Sequence, residues 1–201
     1  MSLTIIIIAI TVIISFYAWN NPDKYHRWMM NPYQVKRNNQ YDRFLMSGFI
    51  HSDYVHLGFN MFTLYFFGRN LEQYYFRMLV GDSAPYVFLG LYLVAIIVSE
   101  IPTFLKHKEN PGYNSLGASG AVAAVIFSSI LFDPMNNIYV FFIPVPGIVF
   151  GGLFLLYSWY QTRNAKDQIN HDAHFYGAVF GIIFTLILEP GLLGSFLGEL
   201  F

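Results

Sequence analysis

The sequence predicts an all-α membrane protein: a six-transmembrane-helix bundle forming one domain over residues 1–201, with a short fourth helix that starts at a recessed cavity. Three observations predict it. Only 11% of the residues are charged and 55% are hydrophobic, where ordinary soluble domains carry about a quarter charged residues. The apolar residues fall in blocks separated by short polar stretches, the pattern a bilayer imposes. One apolar block, Ala118 to Phe132, is about fifteen residues long where a full crossing takes about twenty.

The first span, Leu3 to Trp19, is closed by Trp19-Asn20-Asn21-Pro22. It lacks a preceding cationic stretch and a following small-residue cleavage site, which favours a retained helix over a signal peptide. A polar and aromatic connection follows, to about Asp53, with Lys24, Arg27, Lys36, Arg37 and Arg43 beside Trp28, Met29, Met30 and Tyr33. That mixture suits a segment lying on the membrane surface, and equally a solvated loop. The second span covers residues 54–75, and the third covers 84–105, interrupted near its end by Glu100 and Pro102. The fourth covers 117–132, ahead of Asp133-Pro134. The fifth, 138–160, has an irregular start at Pro144, Pro146, Gly147, Gly151 and Gly152, and the sixth, 171–188, is stopped by Glu189-Pro190.

Composition excludes several functions. A net charge of -1 without runs of like charge gives nucleic acid nothing to bind. Without cysteine there is no disulfide, thiolate nucleophile or Cys-ligated metal. A metal or transport site built on His51, His56, His171 and His174 would need three or four converging ligands, and the sequence has no His-Glu-x-x-His.

Six alternating spans put the connections after spans one, three and five on one face of the membrane. His56 starts span two, Ser119 span four and His174 span six, so all three lie at that face. Asn60 follows His56 at i+4, one turn deeper on the same side of the helix. Four polar groups from three helices can thus converge at similar depth. A helix as short as span four begins below the surface. The amides and positive dipole end at its N-terminus then favour a developing negative charge in a wet pocket. Gly120, Ala121, Ala123 and Ala124 allow close approach to Gly177 and Gly181, although small-residue spacing is also how membrane helices ordinarily pack.

Joined in six-span order, Phe49-Ile50-His51 with His56 and Asn60, Gly117-Ala118-Ser119-Gly120, and Ala173-His174 with Gly177 and Gly181 resemble the rhomboid family of intramembrane serine proteases, from about Arg43 to Leu188. The resemblance implies Ser119 as nucleophile, His174 as general base and His56 with Asn60 as oxyanion stabilisers. Gly117, Gly120, Gly177 and Gly181 would pack the helices near the site. It implies a serine endopeptidase without cofactor or metal, working by a Ser-His dyad. Its substrates would be single-span membrane proteins, cut in or near their transmembrane segments, and its other partner the lipid bilayer. The alternative is a catalytically inactive rhomboid-like protein that binds membrane clients. A bacterial inner (plasma) membrane is the expected location. Asp172 stands two residues from His174, and i,i+2 side chains on a helix point apart, which speaks against a triad.

Two positions depart from the family pattern. Tyr41-Asp42-Arg43 stands where Trp-Arg is frequent, and Ala123, four after the serine, stands where an aromatic commonly supports the histidine ring. Orientation carries a conflict. Lys24, Arg27, Lys36, Arg37, Arg43, Lys106, Lys108, Arg163 and Lys166 share the Ser119 face, with Arg69 and Arg77 opposite. The positive-inside rule puts the nine in the cytoplasm, whereas the family resemblance implies cytoplasmic termini and a site opening outward. The family topology is the one expected here.

Overall fold

The computed structural model describes residues 2–140, 142–164, 167 and 169–200. It is mostly helical. Seventeen uncharged residues form α1 (Leu3–Trp19), about 25 Å long. Thr4, Thr11 and Ser15 face inward while Ile13, Phe16 and Tyr17 face outward, the reverse of a soluble helix. The start of α1 is clamped by Glu72, whose carboxylate accepts from the backbone N–H groups of Leu3 and Thr4 and from the hydroxyls of Ser2 and Thr4, at 2.6–2.9 Å.

The long first connection is folded. It forms α2 (Pro22–Trp28), α3 (Pro32–Asn38) and the short α4 (Arg43–Met46), followed by a 3-10 turn at Ser47–Phe49. Both longer helices begin on proline, whose fixed φ suits the first helical position. Arg43 is buried and donates to the carbonyls of His26 and Met29 and to the Gln40 side chain, tying α2 to α4. Met30 and Val35 are fully buried, so this segment packs as protein and is not a solvated loop.

Asp53 caps the next helix, accepting from the N–H groups of Val55 and His56 at 2.9 Å. Helical backbone then runs from α5 (Tyr54–Thr63) through wider π-type turns at Leu64–Gly68 and Leu71–Tyr75 into α6 (Phe76–Val80), five residues beyond the expected end at Tyr75. Gly81, with φ of 58°, turns the chain into α7 (Ala84–His107). Glu100 and Pro102 do not interrupt α7. The glutamate is buried and hydrogen-bonded, and the proline is absorbed within the helix.

The short α8 (Ser119–Phe132) is about 21 Å long. It is the centre of the molecule: every residue from Gly120 to Leu131 is buried, against α7, α10 and the α5–α6 stretch. The expected fifth span is corrected at its start. Residues 138–140 and 142–146 are not helical: β1 (Asn137–Val140) pairs antiparallel with β2 (Ile143–Pro146), in register Ile138 with Val145 and Tyr139 with Pro144. Pro144 and Pro146 lack the N–H that a helix interior uses, and a two-stranded edge tolerates them. The helix α9 follows at Gly147–Asn164, so the chain is mostly rather than wholly α. Then come α10 (His171–Leu188), as expected, and a terminal α11 (Leu192–Leu200).

Among the described residues, two helical stretches are long and apolar enough to cross a membrane, Tyr54–His107, which Gly81 divides, and His171–Leu188. Leu3–Trp19 and Ser119–Phe132 are shorter apolar helices.

Candidate active site

Ser119 is the first residue of α8 and His174 lies one turn into α10. Their side chains meet, with His174 Nε2 2.8 Å from Ser119 Oγ. Small residues make this approach possible. A Cβ on Gly177 would collide with the Gly120 carbonyl, one on Gly181 with the backbone of Ala124, and one on Gly120 with the Ser99 side chain. The four-residue spacing of Gly177 and Gly181 is therefore a seam where two backbones touch. Ser119 and His174 are partly exposed while Ala118, Gly120 and Ala173 around them are buried, so the pair faces an opening in packed surroundings. No side chain caps α8, which leaves its first-turn amides without a side-chain acceptor beside Ser119.

The chain before Ser119 is fastened at three successive points. Ser115 and Met30 exchange backbone hydrogen bonds at 2.9 and 3.0 Å, the Gly117 N–H donates to the Ser47 carbonyl at 2.9 Å, and the Ala118 N–H donates to His51 Nε2 at 3.3 Å. His51 is fully buried, and burial pushes its pKa down to about 3. The neutral ring accepts at Nε2 and its Nδ1 donates to Ser15 Oγ, which donates to the Phe49 carbonyl. The long connection, which the sequence left open between a membrane-surface segment and a solvated loop, thus walls this site.

The structure also brings His56 here, and Asn60 lies one turn further along α5. The His56 ring packs on Gly117, whose missing side chain and φ of 118° make room for it, and meets His51 edge-on at 5.0 Å. Ser52 donates to Asp53, so its oxygen accepts from His56 Nδ1 at 3.0 Å, which leaves Nε2 of the neutral ring as an acceptor towards Gly117. Asn60 is buried and donates one amide hydrogen to the His56 carbonyl at 3.0 Å.

Asp172 turns away from His174 to Lys106, at 2.9 Å. His171 is buried, against Tyr157 and edge-on to His174 at 5.9 Å, with Asp167 on its Nε2. Among the described residues no three His, Asp or Glu side chains converge as metal ligands. Sequence reasoning missed Phe154. Its ring on α9 lies tilted 6.0 Å from that of His174 and packs on Phe127, supplying the aromatic neighbour that Ala123 does not. It also missed Ser115 and Asn170. An Asn before a helical run is a capping signal that could have found the second.

The family model of the rhomboid domain matches residues 38–190, well over half of the chain. The chain is 28% identical over 180 residues to RHOMBOID-like protein 12, mitochondrial, of Arabidopsis thaliana, covering 82% of this chain and 53% of that protein. It is 28% identical over 146 residues to Rhomboid protein 1, mitochondrial, of Saccharomyces cerevisiae, covering 69% and 39%. It is 26% identical over 142 residues to the human Presenilin-associated rhomboid-like protein, mitochondrial, covering 69% and 35%. The chain thus spans about half of the first of these relatives and under two fifths of the other two. The expected bacterial plasma membrane is overturned by these relatives, all of them mitochondrial by name. Hydropathy registers a bilayer and carries no signal for which bilayer it is. The matched domain, together with the serine-histidine contact at the mouth of two closely packed helices, makes this chain a member of the rhomboid family.

Proposed function

We propose that the protein is an intramembrane serine endopeptidase that cuts single-span membrane proteins in or near their transmembrane segments. The observation that carries this reading is the 2.8 Å contact between Ser119 Oγ and His174 Nε2. At that distance the neutral imidazole takes the hydroxyl proton as the oxygen attacks a peptide carbonyl. The proton is then returned to the leaving amine, and water resolves the acyl-enzyme.

The oxyanion forms beside the uncapped first turn of α8, where the Ser119 N–H donates to it. The second amide hydrogen of Asn60 is a further donor. His56 donates from Nε2 once its ring carries both protons or its Nδ1 accepts from Ser52. The loss of one such donor costs about 3 kcal/mol of transition-state stabilisation. A peptide bond inside a regular helix cannot reach the serine, so a substrate has to unwind locally, which small or helix-breaking residues favour.

Six crossings are assigned to α1, α5–α6, α7, α8, α9 and α10, in one domain over residues 1–201. The Ser119 face opens away from the side that holds the termini. Five of the nine cations on that face are tied into the fold, which discounts their number as a topology signal. Arg43 is buried, Arg27, Lys36 and Arg37 are paired with Asp42, Glu109 and Glu109, and Lys106 on α7 pairs with Asp172 on α10. Lys166 lies outside the described residues.

Covalent labelling by a fluorophosphonate tests the reading, because the reagent needs an activated serine. Labelling of the wild type but not of Ser119→Ala or His174→Ala is the expected result. Equal labelling of all three removes Ser119 as nucleophile. An unlabelled wild type that also leaves a model transmembrane substrate intact identifies a client-binding rhomboid-like protein instead.

A further inference from the structure

Glu100 lies on α7, buried, with both carboxylate oxygens engaged. The Asn170 side-chain amide donates to Oε1 and Oε2 at 3.2 and 3.1 Å, and the Ser115 hydroxyl reaches Oε2 at 3.5 Å. Asn170 and Ser115 also touch one another, at 3.3 Å. These two residues occupy equivalent stations. Ser115 stands four residues before Ser119 and Asn170 four residues before His174. Asn170 also caps α10, accepting from the Ala173 N–H at 3.1 Å and from the Thr103 hydroxyl at 3.0 Å.

The small-residue seam between α8 and α10 brings their backbones together. Apolar contacts are non-directional, however, and set rotation and sliding of one helix on the other only weakly. A hydrogen bond is directional and weakens steeply off axis. The contact between Ser119 and His174 needs a fixed offset between the two helix starts, and Glu100 is where the two lead-in segments join.

We propose that Glu100 is a positioning residue for the serine-histidine pair: its carboxylate holds Ser115 and Asn170 together and so sets the offset between Ser119 and His174. This rests on the proposed dyad. The chemistry of the node makes it sensitive to the carboxylate itself. Two acceptor oxygens serve the Asn170 amide and the Ser115 hydroxyl together, whereas a carboxamide in the same place would turn its own N–H groups against one of these donors.

The experiment uses the full chain in detergent and reads the fluorophosphonate labelling rate, kcat and KM for a model transmembrane substrate, and the melting temperature. An unlabelled wild type sinks the dyad and this proposal together. With the wild type labelled, Glu100→Gln and Ser115→Ala are expected to slow labelling and lower kcat by about ten- to a hundredfold at unchanged KM, the scale of a misplaced catalytic group. Asn170→Asp added to Glu100→Gln reverses donor and acceptor across the contact, and is expected to bring the rate back to within about threefold of wild type. Single variants that melt lower yet label at the wild-type rate would leave the dyad standing and reduce Glu100 to a staple. A double variant no faster than Glu100→Gln would overturn the proposal equally. Should Glu100→Gln fail to fold, the small deletion in Ser115→Ala decides alone, by a slowed or an unchanged rate.

Discussion

At its N-terminal end α8 starts between Ser115, Gly117 and Ala118, each hydrogen-bonded to a different part of the chain, whereas at its C-terminal end Phe132 stacks on Tyr75 and the chain passes into a hairpin whose turn residue Phe142 is 95% exposed. The first end is held by directional bonds among buried groups, the second by ring contacts and an antiparallel ladder of four residue pairs. The difference follows what each end must do. In the proposed dyad a proton passes between Ser119 and His174, so errors of a few tenths of an ångström would matter there. The hairpin has only to return the chain to α9.

This contrast can be broken experimentally, beginning with the largest effect. Gly177→Val would drive a side chain into the Gly120 carbonyl, and labelling of Ser119 is expected to fall on the order of a hundredfold or more. Gly152→Val on α9, where nothing lies within 4 Å of the missing Cβ, should label at the wild-type rate. Next, Arg43→Ala leaves the carbonyls of His26 and Met29 without their buried guanidinium donor. A loss of about 3 kcal/mol in denaturant unfolding is expected, with slower labelling because Met30 brackets Ser115.

His51 gives a pH test of the same end. Its pKa is about 3 in the fold against 6.5 for the model side chain, so the neutral form is favoured by folding. Its contribution is complete above about pH 6.5 and is lost as the pH falls towards 3, at about 1.4 kcal/mol per unit. Melting temperature should therefore drop between pH 7 and 5, and His51→Gln, which keeps an acceptor for the Ala118 N–H but does not titrate, should flatten that slope. A slope unchanged in the variant would assign it to another group.

Phe154→Ala should slow labelling by roughly two- to tenfold, the worth of one ring contact on His174. Smallest is Phe142→Gly. The residue has φ of 71°, where L side chains are strained by about 1 kcal/mol, so stability should rise slightly with no change in labelling. A fall in activity would show that the two ends of α8 are coupled.

Much of the site was legible in the chain because its residues carry local signals. Ser119 and His174 each open an apolar run, and alternation of the spans puts those openings at one face. The seam glycines were legible as small-residue spacing, but their contact partners were not, since Gly177 and Gly120 are far apart in sequence. Glu100 was misread. It stood as an interruption within a span reaching Leu105, whereas α7 runs unbroken through it to His107 and its carboxylate meets the distant Ser115 and Asn170. Pro144 and Pro146 marked an irregular start to α9 without revealing a hairpin, because strand pairing depends on which partner lies alongside.

The sequence by itself determined where apolar blocks begin and end, that α8 is too short for a full crossing, and which polar residues sit at the block ends. These are properties of neighbours along the chain, set by hydrophobic burial and helical period. Tertiary structure alone decided that the first connection walls the site, that Phe154 stands where Ala123 offers no ring, and that Glu100 joins the two segments leading to Ser119 and His174. Those outcomes depend on directional bonds and ring contacts between residues 15 to 85 positions apart, which no local pattern encodes.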